Sequence, residues 1–98
     1  MNREEQMLNV LSEECAEVIK EISKALRFGL DDYPPGSDED NTNRKRITYE
    51  LNDLIGIAEL LKKEGYIDDF MNPEKTLKKQ NKFEKYLLYS KKCGKFVE

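Results

Sequence analysis

Apolar residues recur in steps of three and four along two long stretches of this chain, and that period is helical. The first stretch runs from about residue 2 to Phe28. Leu8, Leu11, Cys15, Val18, Ile22 and Ala25 form its seam, and Val10, Ile19 and Leu26 widen the apolar surface. Gly29 ends it as a C-terminal glycine does. The interval 29–43 has no period. It holds Pro34, Pro35, Gly36 and five acids, and reads as a loop long enough to form a lid. The second helix starts near Thr42 or Asn43, with Asn43 read as a cap. It runs to about Glu64, with a seam of Ile47, Leu51, Leu54, Ala58 and Leu61, and Gly65 stops it. Asn72-Pro73 opens a third helix, with proline at a favoured first-turn position, and Cys93-Gly94 closes it after about Lys92. Its face of Leu77, Phe83, Tyr86 and Leu87 is weaker. The expected fold is all-α: an antiparallel helical hairpin plus a C-terminal helix, in one domain.

Composition limits what such a hairpin can do alone. Hydrophobic residues make up 38% of the 98 residues and charged residues another 38%. A monomer of this length has little to bury. Homo-oligomerisation into a bundle of four or more helices is therefore expected. The chain has no histidine, which excludes Ser-His-Asp and Cys-His catalysis and any zinc site that uses histidine. Cys15 and Cys93 are too few and too far apart for a zinc ribbon or a disulfide framework. No apolar run approaches the ~20 residues of a membrane span, and the N-terminus does not resemble a signal peptide. A cytoplasmic protein with no membrane partner is the simplest expectation. The net charge of -3 argues against binding a nucleic-acid polymer. Acids dominate as far as Gly65, and lysines dominate after it.

Acidic residues are paired on both long helices. Glu13, Glu14 and Glu17 lie on the first, and Glu50 and Asp53 on the second. At about 100° per residue, Glu14 and Glu50 fall beside their seams and Glu17 and Asp53 lie slightly further out on the same flank. In an antiparallel pair both flanks share one side, so Glu14, Glu17, Glu50 and Asp53 would line one strip. Carboxylates gathered in this way repel one another, and a hard divalent cation is the natural counterweight. Mg²⁺ or Mn²⁺ prefers oxygen ligands, and Mg²⁺ retains positions for water or phosphate. The same spacing also occurs on ordinary solvated helix faces.

At these residues the chain resembles the MazG-like, all-α nucleoside triphosphate pyrophosphohydrolases, of the small type common in phages and bacteria. Glu13-Glu14-x-x-Glu17 matches that family's EExxE motif, and Glu50-x-x-Asp53 matches its ExxD motif. The likeness extends over Glu14–Gly29, Thr42–Arg46, Glu50–Leu61 and Lys82–Gly94. Two features depart from it. The interval between the motifs is long, because of the loop 31–43, and Asn52 stands where a small residue is common. The resemblance implies Mg²⁺-dependent hydrolysis of a (deoxy)nucleoside triphosphate to the monophosphate and pyrophosphate. It implies Glu14, Glu17, Glu50 and Asp53 as catalytic metal ligands, Glu13 as an assisting group, and a tight homodimer or homotetramer. Arg44 and Arg46 are candidate triphosphate contacts, since arginine suits bidentate phosphate binding. Phe28, Tyr33 and Tyr49 are candidates for base stacking, although packing is the simpler reading of each. The alternatives to an enzyme are a non-catalytic nucleotide- or metal-binding relative and a helical protein-interaction module.

Overall fold

A computed structural model describes residues 1–97 as three helices: α1 (Arg3–Phe28), α2 (Asn43–Lys63) and α3 (Pro73–Lys92). No strand occurs among the described residues, so the fold is all-α. Each helix begins at a side-chain cap. Asn2 Oδ1 accepts from the Glu5 N–H at 2.8 Å, and Glu5 Oε1 accepts from the Asn2 N–H at 3.4 Å, a reciprocal capping box. Thr42 Oγ1 accepts from the Lys45 N–H at 3.3 Å. Asn72 Oδ1 accepts from the Lys75 N–H at 3.1 Å, with Pro73 next in the chain. Asn43 is therefore not the cap of α2. It is the first helical residue, and its buried amide donates to the Gly29 carbonyl at 2.8 Å.

The chain divides into two compact units, Met1–Asp68 and a second beginning at Asp69. In the first, α1 and α2 pack antiparallel. At one end Arg3 grips Glu64 through two hydrogen bonds of 2.6 and 2.8 Å. At the other end the loop folds back, and the Asp32 and Leu30 carbonyls accept from the Asn43 and Arg44 N–H groups at 2.9 and 2.8 Å. Those bonds satisfy donors that the first turn of a helix otherwise leaves open. Gly29 makes the reversal with φ 97°, a region that penalises a Cβ.

The facing surfaces differ from the seam expected on sequence. Met7, Ala58 and Leu61 are buried, and Leu11, Val18, Ala25, Ile47, Leu54 and Ile57 are half-buried. Leu8, Cys15, Ile22 and Leu51, expected in the seam, are exposed. The reason is the width of the apolar arc on α1. It carries two adjacent stripes, and α2 covers only the one containing Met7, Leu11, Val18 and Ala25. That choice turns α1 by roughly 40° toward its acidic flank. Glu14 and Glu21 come into the helix-helix boundary, and Leu8, Cys15, Ile19, Ile22 and Leu26 are left on the opposite side.

The second unit is α3 with its flanking residues. None of its helical residues is buried, and Leu77, Phe83 and Tyr86 are exposed. Lys82 sits over the Tyr86 ring at 5.8 Å, one helical turn away. No described helix is long and apolar enough to cross a membrane.

Candidate metal centre on the hairpin

Two ion pairs set the register of the hairpin. Arg3 meets Glu64, and Glu21 meets Arg46. Eighteen residues separate the contacts on both helices, so the register is constant between them. Within it, Glu14 is level with Asp53 and Glu17 with Glu50. Glu14, Glu50 and Asp53 each offer a carboxylate oxygen within 4.8 Å of the others. Glu14 and Glu50 are half-buried there and Asp53 is exposed. Glu17 lies beside them, outside the group of three, with Lys20 at 4.0 Å from its carboxylate. Glu13 points away and accepts a hydrogen bond from Asn9 at 3.1 Å.

The electrostatics follow from this crowding. The Glu14 carboxyl is pushed above the ordinary glutamate value, first by loss of solvent at the boundary and then by the charges of Asp53, Glu50, Glu17 and Glu13. No lysine or arginine pairs with Glu14, Glu50 or Asp53 among the described residues. This donor set fits a hard divalent cation. All donors are carboxylate oxygens, and the 4.8 Å spread is close to the roughly 4 Å between opposite ligands of an octahedral Mg²⁺ shell.

The two arginines expected at a triphosphate have local partners. Arg44 donates to Asp31 on the exposed surface at 3.0 and 3.3 Å. Arg46 turns inward to Glu21, one of the groups that sequence reasoning missed. The Glu21 side chain is only 3% exposed. Arg46 Nη2 donates to Glu21 Oε1 at 3.3 Å, and Lys24 lies 3.5 Å from the same oxygen. Arg46 Nε lies 3.1 Å from Glu21 Oε2 as an ion-pair contact, without the alignment of a hydrogen bond. The signal for Glu21 is its spacing: it follows Glu14 by seven residues and repeats its angular place two turns along.

Viewed along this face, the hairpin presents carboxylates in the middle, then the Glu21–Arg46–Lys24 group, then the loop. No family model matches the chain, and no curated protein or solved structure matches it.

Proposed function

We propose that the protein is a Mg²⁺- or Mn²⁺-dependent nucleoside triphosphate pyrophosphohydrolase of the MazG-like kind. The observation that carries the reading is the convergence of one carboxylate oxygen each from Glu14, Glu50 and Asp53, on two helices, to within 4.8 Å of one another. Glu14, Glu50 and Asp53 would hold the ion, with Glu17 completing the set from the adjacent turn. A bound divalent cation supplies charge neutralisation on the phosphates and a more acidic water. The protein's own contribution is placement: two rigid helices fix the carboxylates, and the half-buried boundary restricts water around them. The reaction consumes one water, breaks the α–β phosphoanhydride, and yields monophosphate and pyrophosphate.

Association of copies fits the same reading. The side of the hairpin opposite the acids exposes Leu8, Ile19, Ile22 and Leu26 from α1 and Leu51 from α2. A homodimer or homotetramer that covered this side would complete the bundle and leave the carboxylates accessible. The test is pyrophosphate release from a panel of canonical and modified NTPs and dNTPs, with Mg²⁺, with Mn²⁺ and with EDTA. Metal-dependent release with the monophosphate as co-product supports the assignment. Silence across the panel refutes it.

A further inference from the structure

Charge is divided unevenly along the chain. Residues 1–68 carry nine basic side chains against sixteen acidic ones, and residues 69–98 carry eight lysines against four acids. The acidic total of the whole chain therefore hides a basic second unit, and most of its lysines lie on one side of α3.

At about 100° per residue, Lys75, Lys78, Lys79, Lys82 and Lys85 fall within an arc of roughly 120°. Lys92 extends the edge of that arc two turns beyond Lys85, so the row runs along about 25 Å of helix. All six lysines are exposed, and none forms an ion pair among the described residues. The two acids of α3, Glu74 and Glu84, lie outside the arc of the first five. Like charges three and four residues apart on a helix repel one another. Nothing on this side of α3 offsets that repulsion, so the face suits a partner with a row of negative charges.

Two tyrosines stand among the lysines. Tyr86 and Tyr89 fall inside the same arc and are 58% and 64% exposed. Lys78, Asn81, Lys82, Lys85 and Tyr86 line a shallow recess of about 420 Å³. Lys82 Nζ lies 5.8 Å from the Tyr86 ring centroid, which sets a charge beside a ring. A duplex backbone or an acidic peptide would engage the lysines and leave the rings idle. A single strand engages both, because its phosphates pair with the lysines and its unstacked bases lie on the rings. A lipid surface is a poorer match. The opposite side of α3, with Leu77, Phe83, Leu87 and Leu88, is interrupted by Glu84 and Lys91, whereas an interfacial helix buries a continuous apolar face.

We infer that the lysine and tyrosine face of α3 binds single-stranded nucleic acid, with Lys75, Lys78, Lys79, Lys82 and Lys85 on the phosphates and Tyr86 and Tyr89 under the bases. The surface belongs to the second unit, and the inference does not depend on the reaction proposed at the carboxylates.

The test is fluorescence anisotropy of labelled oligothymidine, oligouridine and a DNA duplex of equal length. Each is titrated with the whole chain in EDTA at several salt concentrations. The expected result is tighter binding of the single strands than of the duplex, and the tighter of the two strands identifies DNA or RNA as the preferred polymer. The logarithm of affinity should fall against that of salt with a slope of about -3.5, the value for five phosphate contacts on a single strand. Replacing Lys78, Lys82 and Lys85 together by Gln should flatten that slope by about 2, while Lys63→Gln on the exposed surface of α2 leaves it unchanged. Tyr86→Ala combined with Tyr89→Ala should weaken single-strand binding by about tenfold at an unchanged slope. Alanine favours the helix, so circular dichroism should stay the same. No binding at about 50 mM salt, equal binding of the duplex, or an unchanged affinity in the tyrosine variant overturns the inference. Tighter binding to phosphatidylserine vesicles than to either oligonucleotide assigns α3 to a membrane surface and also overturns it.

Discussion

Breaking the Glu21–Arg46 pair from one side should be among the most damaging changes in the hairpin. The Glu21 side chain is 3% exposed and that of Arg46 is 24% exposed, so the pair is desolvated mainly on the carboxylate side. Removing one partner of a fully buried pair costs about 3–5 kcal/mol, because the other charge is left uncompensated. Two features reduce the figure here. Arg46 retains some water, and Lys24 remains 3.5 Å from Glu21. Arg46→Met is therefore expected to cost about 2–3 kcal/mol. For a domain of this size that is a fall in Tm of about 10–20 °C. Glu21→Met together with Arg46→Met should recover most of the loss, because two apolar side chains leave no stranded charge. Urea and thermal unfolding in EDTA, for the wild type, both single variants and the double variant, form a complete cycle. A cost below about 0.5 kcal/mol for Arg46→Met, or strictly additive singles, would refute the reasoning.

Other expectations follow from the same geometry. Leu61, at 0% exposure, is the most enclosed apolar side chain, and Leu61→Ala should cost about 2–4 kcal/mol in urea unfolding. Hydrogen bonding to Arg3 holds the Glu64 carboxyl below its usual value, so that pair stabilises above the unfolded carboxylate's pKa and its contribution is lost as pH falls through the lower folded value. A Glu64→Gln variant should show a flatter acid limb of the stability profile. Glu14 has the opposite sign: its raised pKa favours the folded state at low pH, and that advantage is lost as pH rises through the folded value. Glu14→Gln should therefore be more stable than the wild type at neutral pH in EDTA, by thermal unfolding. Asp53→Asn, which keeps the side-chain shape, should abolish metal-dependent pyrophosphate release with the helical circular dichroism unchanged.

The helices were legible because period and punctuation agreed. Thr42, Asn72-Pro73, Gly29 and Gly65 mark ends that backbone hydrogen bonding then observes. The facing surface was less legible. A helix with apolar residues at positions 7, 8, 11, 15, 18, 19, 22 and 26 offers two stripes, and periodicity alone does not choose between them. The choice depends on what α2 presents, including an arginine that needs a buried carboxylate. Glu21 and Arg46 were missed as a pair for the same reason: their meeting across 25 residues of sequence is a tertiary fact. The meeting of Glu14, Glu50 and Asp53 was readable, because an antiparallel register brings matched flanks to one side whatever the loop between them, while Glu17, expected with them, stays outside the group. The way the loop folds back onto the start of α2 was not, since loop residues carry no period from which that path follows.

The most direct measurement is Mn²⁺ binding followed by electron paramagnetic resonance, in which the free-ion signal falls as the ion is taken up. Glu14→Gln, Glu50→Gln and Asp53→Asn are compared with the wild type and with Glu59→Gln, a change on the exposed surface of α2. The account predicts uptake by the wild type and by Glu59→Gln, and a loss of about tenfold or more in affinity for each of the other three. Equal uptake by all five proteins, or none by the wild type, would contradict it.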